Sequence, residues 1–210
     1  MQQQLEKIII EGTETATQTI IWLHGYGADG YDFVPLIPQL NLRPSTRVIL
    51  PSAPPRPVTI NGGQPIRAWF DIRDGEISEI DREGIARSAA LIDGYGEEER
   101  RQGRRLLYVG FSQGGVLALQ LGTHCQCAGV VALSSFLADG ENCPPATDQR
   151  PIIIMHGLYD QVIPVQRGRE ACAQLQQRNY PVQWFDYPMA HQVCNEQIRD
   201  LEKQLRLLDF

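Results

Sequence analysis

No stretch of this 210-residue sequence approaches the ~20 consecutive apolar residues of a membrane span. The amino terminus, MQQQLEKIIIEGTET, lacks a basic segment followed by a long apolar one, so no secretory signal is expected. Positive charge is scarce as well: 19 Lys and Arg stand against 25 Asp and Glu, a net charge of −6. Nucleic acid needs a basic face against its phosphates and is therefore not an expected partner. The basic cluster in EERRQGRR (98–105) is offset by the adjacent GEEE and reads as a solvated helix end. The five cysteines are odd in number, and Cys125-x-Cys127 is tighter than the C-x2-C half-site of a zinc-binding pair. Free thiols in a reducing cytoplasm are the expectation, with no metal and no stable membrane insertion.

What is present is ordinary globular composition, 42 % hydrophobic and 21 % charged. The length suits a single domain over 1–210, large enough to bury about 70 % of its unfolded surface. Apolar, β-branched runs predict strands at 7–12, 19–25, 47–54, 106–112, 129–135, 151–157 and 182–188. Most are near-continuous, as in strands covered on both faces. Helical patterns fall at 80–102, 113–124, 165–179 and 193–208, with a shorter one near 32–40. Strand–helix repetition predicts an α/β fold: a mainly parallel sheet of about seven strands with helices on both faces. The stretch 53–79, rich in Pro and Gly, has no clear periodicity, and loops of that length are often functional.

In YVGFSQGGVLAL (108–119) a serine follows a predicted strand and precedes a predicted helix. Gly110-Phe111-Ser112-Gln113-Gly114 is the G-x-S-x-G nucleophile elbow, whose glycines let so sharp a turn form and lift the hydroxyl clear of the sheet. The helix start also aims N–H groups at the same spot. Such a serine needs a base and the base an orienting acid, in the chain order Ser, acid, His. His24 precedes the serine, and His124 lies where it caps a helix C-terminus. His191, between the last strand and the last helix, is the expected base. Asp160, where a strand runs into a turn before Pro164, is the expected acid. Asp139 with His156 obeys the same order, but puts the base almost inside a strand and leaves His191 without work. Turn-stabilising hydrogen bonds are the expected role of His24 and His156. The oxyanion calls for two donors: the N–H of Gln113 and, from the glycine-rich loop LHGYGAD (23–29), that of Tyr26.

The segments IIWLHGYGADGYDF, LPSAPPRPVTINGG, WFDI, GFSQGGVLAL, HGLYDQVIP and YPMAHQVC run nearly end to end through the chain, and in them it resembles the phospholipase/carboxylesterase family of α/β-hydrolases. APPRPVTINGG followed by WFDI is the most family-specific of these. The resemblance implies an α/β-hydrolase fold, Ser112, Asp160 and His191 as triad, and Tyr26 and Gln113 as oxyanion donors. It implies no cofactor. It further implies that the segment after APPRPVT borders the acyl groove, where Trp69, Phe70 and Ile72 are expected; the plainer role for Trp69 and Phe70 is anchoring a long loop. Two departures stand out. Family members more often carry Leu at the position of Tyr26 and Gly at that of Ala190, where a methyl is tolerated unless the backbone needs positive φ. No separate cap domain fits the length, so an open site is expected. Its substrates would be small or lipid-like acyl esters of short to medium chain, or S-acylated proteins, which leaves carboxylesterase, acyl-protein thioesterase and lysophospholipase activities in view. A catalytically inactive binding module on the same fold is the remote alternative. The apolar rim of an uncapped groove is a candidate homodimer contact.

Overall fold

A computed structural model describes residues 5–73 and 80–210. Seven strands form one sheet: β1 (Lys7–Ile10), β2 (Gln18–Leu23), β3 (Thr46–Pro51), β6 (Arg105–Phe111), β7 (Gly129–Leu133), β8 (Ile152–Gly157) and β9 (Val182–Tyr187). Their spatial order is β1-β3-β2-β6-β7-β8-β9. β1 runs antiparallel to β3, pairing Lys7 with Pro51, and every other neighbour is parallel. The order reverses beside β2, so the chain winds outward in both directions and both faces need covering. The helices are α1 (Arg82–Arg101), α2 (Gln113–His124), α3 (Val165–Gln177) and α4 (Asn195–Leu207). No helix among the described residues is long and apolar enough to cross a membrane.

Alternation along the strands divides the core in two. Ile21, Tyr108, Ala132 and Ile154 face Ile85 and Ile92 of α1, Leu117 of α2 and Ala171 and Leu175 of α3. Ile20, Leu107, Val131 and Ile153 face Leu201 and Leu205 of α4. All six residues of β2 and of β8 are buried, which is why their centres, 20–23 and 152–155, read as unbroken apolar runs.

Two expectations need correction. The helix foreseen near 32–40 is a pair of short 3-10 turns, Gly30–Phe33 and Ile37–Leu40. Pro35 and Pro38 lack the N–H groups that a continuous α-helix would use. The 53–79 stretch is not structureless: β4 (Pro55–Pro57) and β5 (Pro65–Arg67) pair as a small antiparallel ribbon. Proline at three of their six positions hides them from any strand pattern. Positions 74–79 of that stretch lie outside the described residues.

Candidate active site

The chain turns from β6 into α2 through Ser112, at φ 55° and ψ −120°. A side chain in that region costs on the order of 1–3 kcal/mol and persists only where its surroundings impose it. They do so through close approach. A Cβ on Gly110 would stand 2.1 Å from the Gly114 carbonyl oxygen, and one on Gly114 would stand 2.1 Å from that of Leu23. The glycines therefore let the helix start sit against β2 and β6, with Ser112 at the apex.

His191 lies in the loop between β9 and α4, and its Nε2 is 2.9 Å from Ser112 Oγ. Its Nδ1 is 2.7 Å from Asp160 Oδ2. Asp160, in the turn after β8, accepts backbone N–H bonds from Val162 (2.9 Å) and Ile163 (2.8 Å) on Oδ1. Burial pushes the Asp160 carboxyl up, but the bond from His191 and these two N–H groups outweigh it and hold the group below the usual carboxylate range. An ionised acid fixes the His191 proton on Nδ1 and leaves Nε2 to accept from the serine.

The rival pairing does not assemble. His156 is fully buried in β8, where its Nε2–H donates to the Ile163 carbonyl at 2.8 Å. Asp139 instead accepts from Asn142 at 3.0 and 3.1 Å and lies 3.7 Å from Arg82. His24 braces the early loop: Nδ1–H donates to the Gly25 carbonyl at 2.7 Å while Nε2 accepts from the Ala53 N–H at 2.8 Å. Burial lowers the pKa of both His24 and His156. His124, the last residue of α2, approaches the Gln120 carbonyl through Nδ1 at 3.0 Å.

The serine opens onto a cavity of about 580 Å³. Tyr26 and Gln113 both line it, and Gln113 is the first residue of α2, where an α-helix leaves its N–H without an internal partner. Phe70 and Ile72 form part of the wall, as expected, but Trp69 does not. It lies beneath, 1 % exposed, with its indole N–H donating to the His24 carbonyl at 2.8 Å and its backbone N–H to Gln113 Oε1 at 3.0 Å. Its neighbour alternates to the open side, so Trp69 anchors the loop and Phe70 faces the cavity. The amide of Gln113 also donates to the Phe70 carbonyl at 3.0 Å, tying that wall to the elbow. Ala190 is exposed and its φ is not positive, so its methyl meets no backbone strain.

Several lining residues were given no role by the sequence: Asp32, Phe33, Phe111, Phe136, Val162 and Ile163. They come from separate loops, and a single sequence does not show which loops meet. Membership of a family-like segment was the available signal for all but Phe136, and Phe111 is in addition the variable residue of the elbow. Its ring lies 4.9 Å from that of His191.

A family model described as Phospholipase/Carboxylesterase matches residues 5–209. The chain is 30 % identical over 224 positions to acyl-protein thioesterase 1 of Gibberella zeae, covering 97 % of this chain and 95 % of that relative. It is 32 % identical to acyl-protein thioesterase 1 of Saccharomyces cerevisiae, over 90 % of this chain and 91 % of the relative. The crystal structure of Zea mays acyl-protein thioesterase 2 superposes with a TM-score of 0.90 at 26 % identity, covering 99 % of this chain and all of that one (100 %).

Proposed function

Because the chain belongs to the phospholipase/carboxylesterase family of α/β-hydrolases, we propose that it is a serine hydrolase that cleaves acyl esters and thioesters through an acyl-enzyme on Ser112. The observation that supports this most directly is the unbroken relay from Ser112 Oγ through both nitrogens of His191 to Asp160, with spacings of 2.9 and 2.7 Å. His191 takes the hydroxyl proton as Oγ attacks the acyl carbonyl. Asp160 holds the imidazole's tautomer and favours the imidazolium that forms. The N–H groups of Tyr26 and Gln113 receive the oxyanion, an interaction whose loss typically costs ~10²–10³ in turnover. The imidazolium then protonates the departing alcohol or thiol. A water activated by the same nitrogen frees the acid.

The acyl chain fits the side walled by Phe70, Ile72, Ile80 and Phe136. A cavity of about 580 Å³ is in the range of drug-sized ligand sites and suits chains beyond acetyl. We favour carboxylic esters of short to medium chain. The thioester reading is favoured by the relatives named acyl-protein thioesterase.

A panel of p-nitrophenyl esters from acetate to palmitate, run beside an acyl-cysteine peptide and a lysophospholipid, tests the assignment. A maximum at short to medium chains without thioester cleavage supports the carboxylesterase reading, whereas comparable turnover of the peptide supports the thioesterase. Folded protein that hydrolyses none of them defeats both. In Ser112→Ala, kcat on every accepted substrate should fall by roughly 10⁴-fold or more; an inactive binding module would be untouched by that change.

A further inference from the structure

We infer that the leaving-group side of this cavity selects a cationic leaving group: an acyl ester or thioester whose departing alcohol or thiol carries an ammonium or quaternary ammonium within a few bonds of the departing atom. The inference rests on the hydrolase reading of the site and adds a substrate class to it. In that reaction the departing atom is the one that His191 Nε2 protonates, so the leaving group lies along the imidazole, while the oxyanion faces Tyr26 and Gln113.

The wall beside the imidazole is aromatic and acidic. Phe111 lies 4.9 Å from His191 between ring centroids, and Phe33 lies 6.3 Å from Phe111. Asp32, next to Phe33, lines the same cavity. One carboxylate oxygen accepts the Asp29 N–H at 3.0 Å, which orients the group without neutralising it. Asp32 has no basic partner among the described residues. Aromatic faces with a carboxylate at their margin attract organic cations by both cation–π and Coulomb forces.

The sequence around this wall reinforces the sign. From Gly25 to Leu42 there is no Lys or Arg, only Asp29 and Asp32. From 179 to 198, the stretch that carries His191, there is again none; its two acids, Asp186 and Glu196, pair with Arg169 at 3.4 Å and Arg199 at 3.2 Å, so they leave the carboxylate of Asp32 to set the sign. Arg73, the one arginine among the described lining residues, comes from the segment that supplies Phe70 and Ile72. The net charge of −6 adds long-range attraction for cations.

The test compares butyrylcholine with 3,3-dimethylbutyl butyrate, in which carbon replaces the charged nitrogen at equal shape. At low salt kcat/KM should favour the cationic ester by on the order of tenfold, the effect of one exposed ion pair with one cation–π contact. The ratio should fall toward one in Asp32→Asn, whose amide oxygen still accepts the Asp29 N–H, and toward one in the native protein at high ionic strength. S-butyryl-cysteine peptides flanked by lysine or by norleucine tell whether a peptide serves as the source of the cation. Preference in either pair that Asp32→Asn removes supports the inference. Equal rates in both pairs overturn it while leaving the hydrolase assignment standing, as does a preference that survives Asp32→Asn. If that variant does not fold, the salt dependence decides: a cationic preference that salt does not weaken overturns the inference. Failure to hydrolyse any of the four substrates would overturn the hydrolase reading itself.

Discussion

Two carboxylates are buried at opposite edges of the same sheet. At the amino edge Glu99, 4 % exposed, accepts from Thr19 Oγ1 and from Arg104, each at 2.6 Å, with Arg47 3.7 Å away. At the carboxyl edge Asp160, 6 % exposed, meets only backbone N–H groups and imidazoles, with His191 at 2.7 Å and His156 at 3.5 Å. Burying a carboxylate is costly unless it is paired and hydrogen-bonded. Glu99 meets the demand with guanidiniums that never lose their charge. Asp160 has no such cation among the described residues, so its field is available to the imidazolium that exists only while the reaction is under way. A buried acid with permanent partners holds a fold together. One whose cation is transient serves a reaction.

The comparison breaks if the two acids respond alike to neutral replacement. Asp160→Asn should lower kcat by about 10⁴-fold, because an amide can hold the wrong imidazole tautomer, with a much smaller change in the urea midpoint. Steady-state kinetics on a p-nitrophenyl ester beside equilibrium unfolding measures both. Glu99→Gln should do the reverse. It leaves Arg104 without its acid, while Arg47 keeps its pair with Glu11, and should cost about 2–3 kcal/mol of unfolding free energy, at the low end for a broken buried pair because both arginines reach water. Its kcat should stay within a few-fold of native. A Glu99→Gln enzyme crippled in kcat at full stability would refute the division of labour.

The two edges were not equally legible in the sequence. All seven sheet strands and all four helices coincide with the hydrophobic pattern to within two or three residues; β3 departs most, ending at Pro51. Ser112 announces itself by its glycines, and strand ends nominated Asp160 and His191, because β-branched runs in a buried parallel sheet leave an unambiguous trace. Glu99 left none: within GEEERRQGRR it reads as one more solvated charge, and only folding places Thr19 and Arg104 beside it. Trp69 failed for a related reason. A Trp-Phe pair does not say which ring turns inward, and the hydrogen bonds from Trp69 to His24 and Gln113 decide it.

The smallest expected effect concerns the imidazoles that must remain neutral. His24 and His156 have pKa values lowered below 6.5 by burial, which outweighs the bonds and carboxylates that favour their charged forms. The unfolded chain therefore binds more protons than the folded one once the pH drops below about 6.5. Stability from these two groups is fully present above that value and is lost as the pH falls, at up to about 1.4 kcal/mol per pH unit for each histidine. The depressed Asp160 carboxyl adds nothing in this window. Its contribution is present above the ordinary carboxylate value of about 3.9 and disappears only as the pH falls toward its lower folded value. Urea midpoints at pH 7.5 and 5.5 should differ accordingly, and His156→Asn should shrink the difference by about half, whatever it does to stability at pH 7.5. An unchanged difference would mean that His156 is charged in the folded protein. It would then place a lasting cation 3.5 Å from Asp160, in competition with the imidazolium of His191, and the contrast between the two buried acids would collapse at its catalytic end.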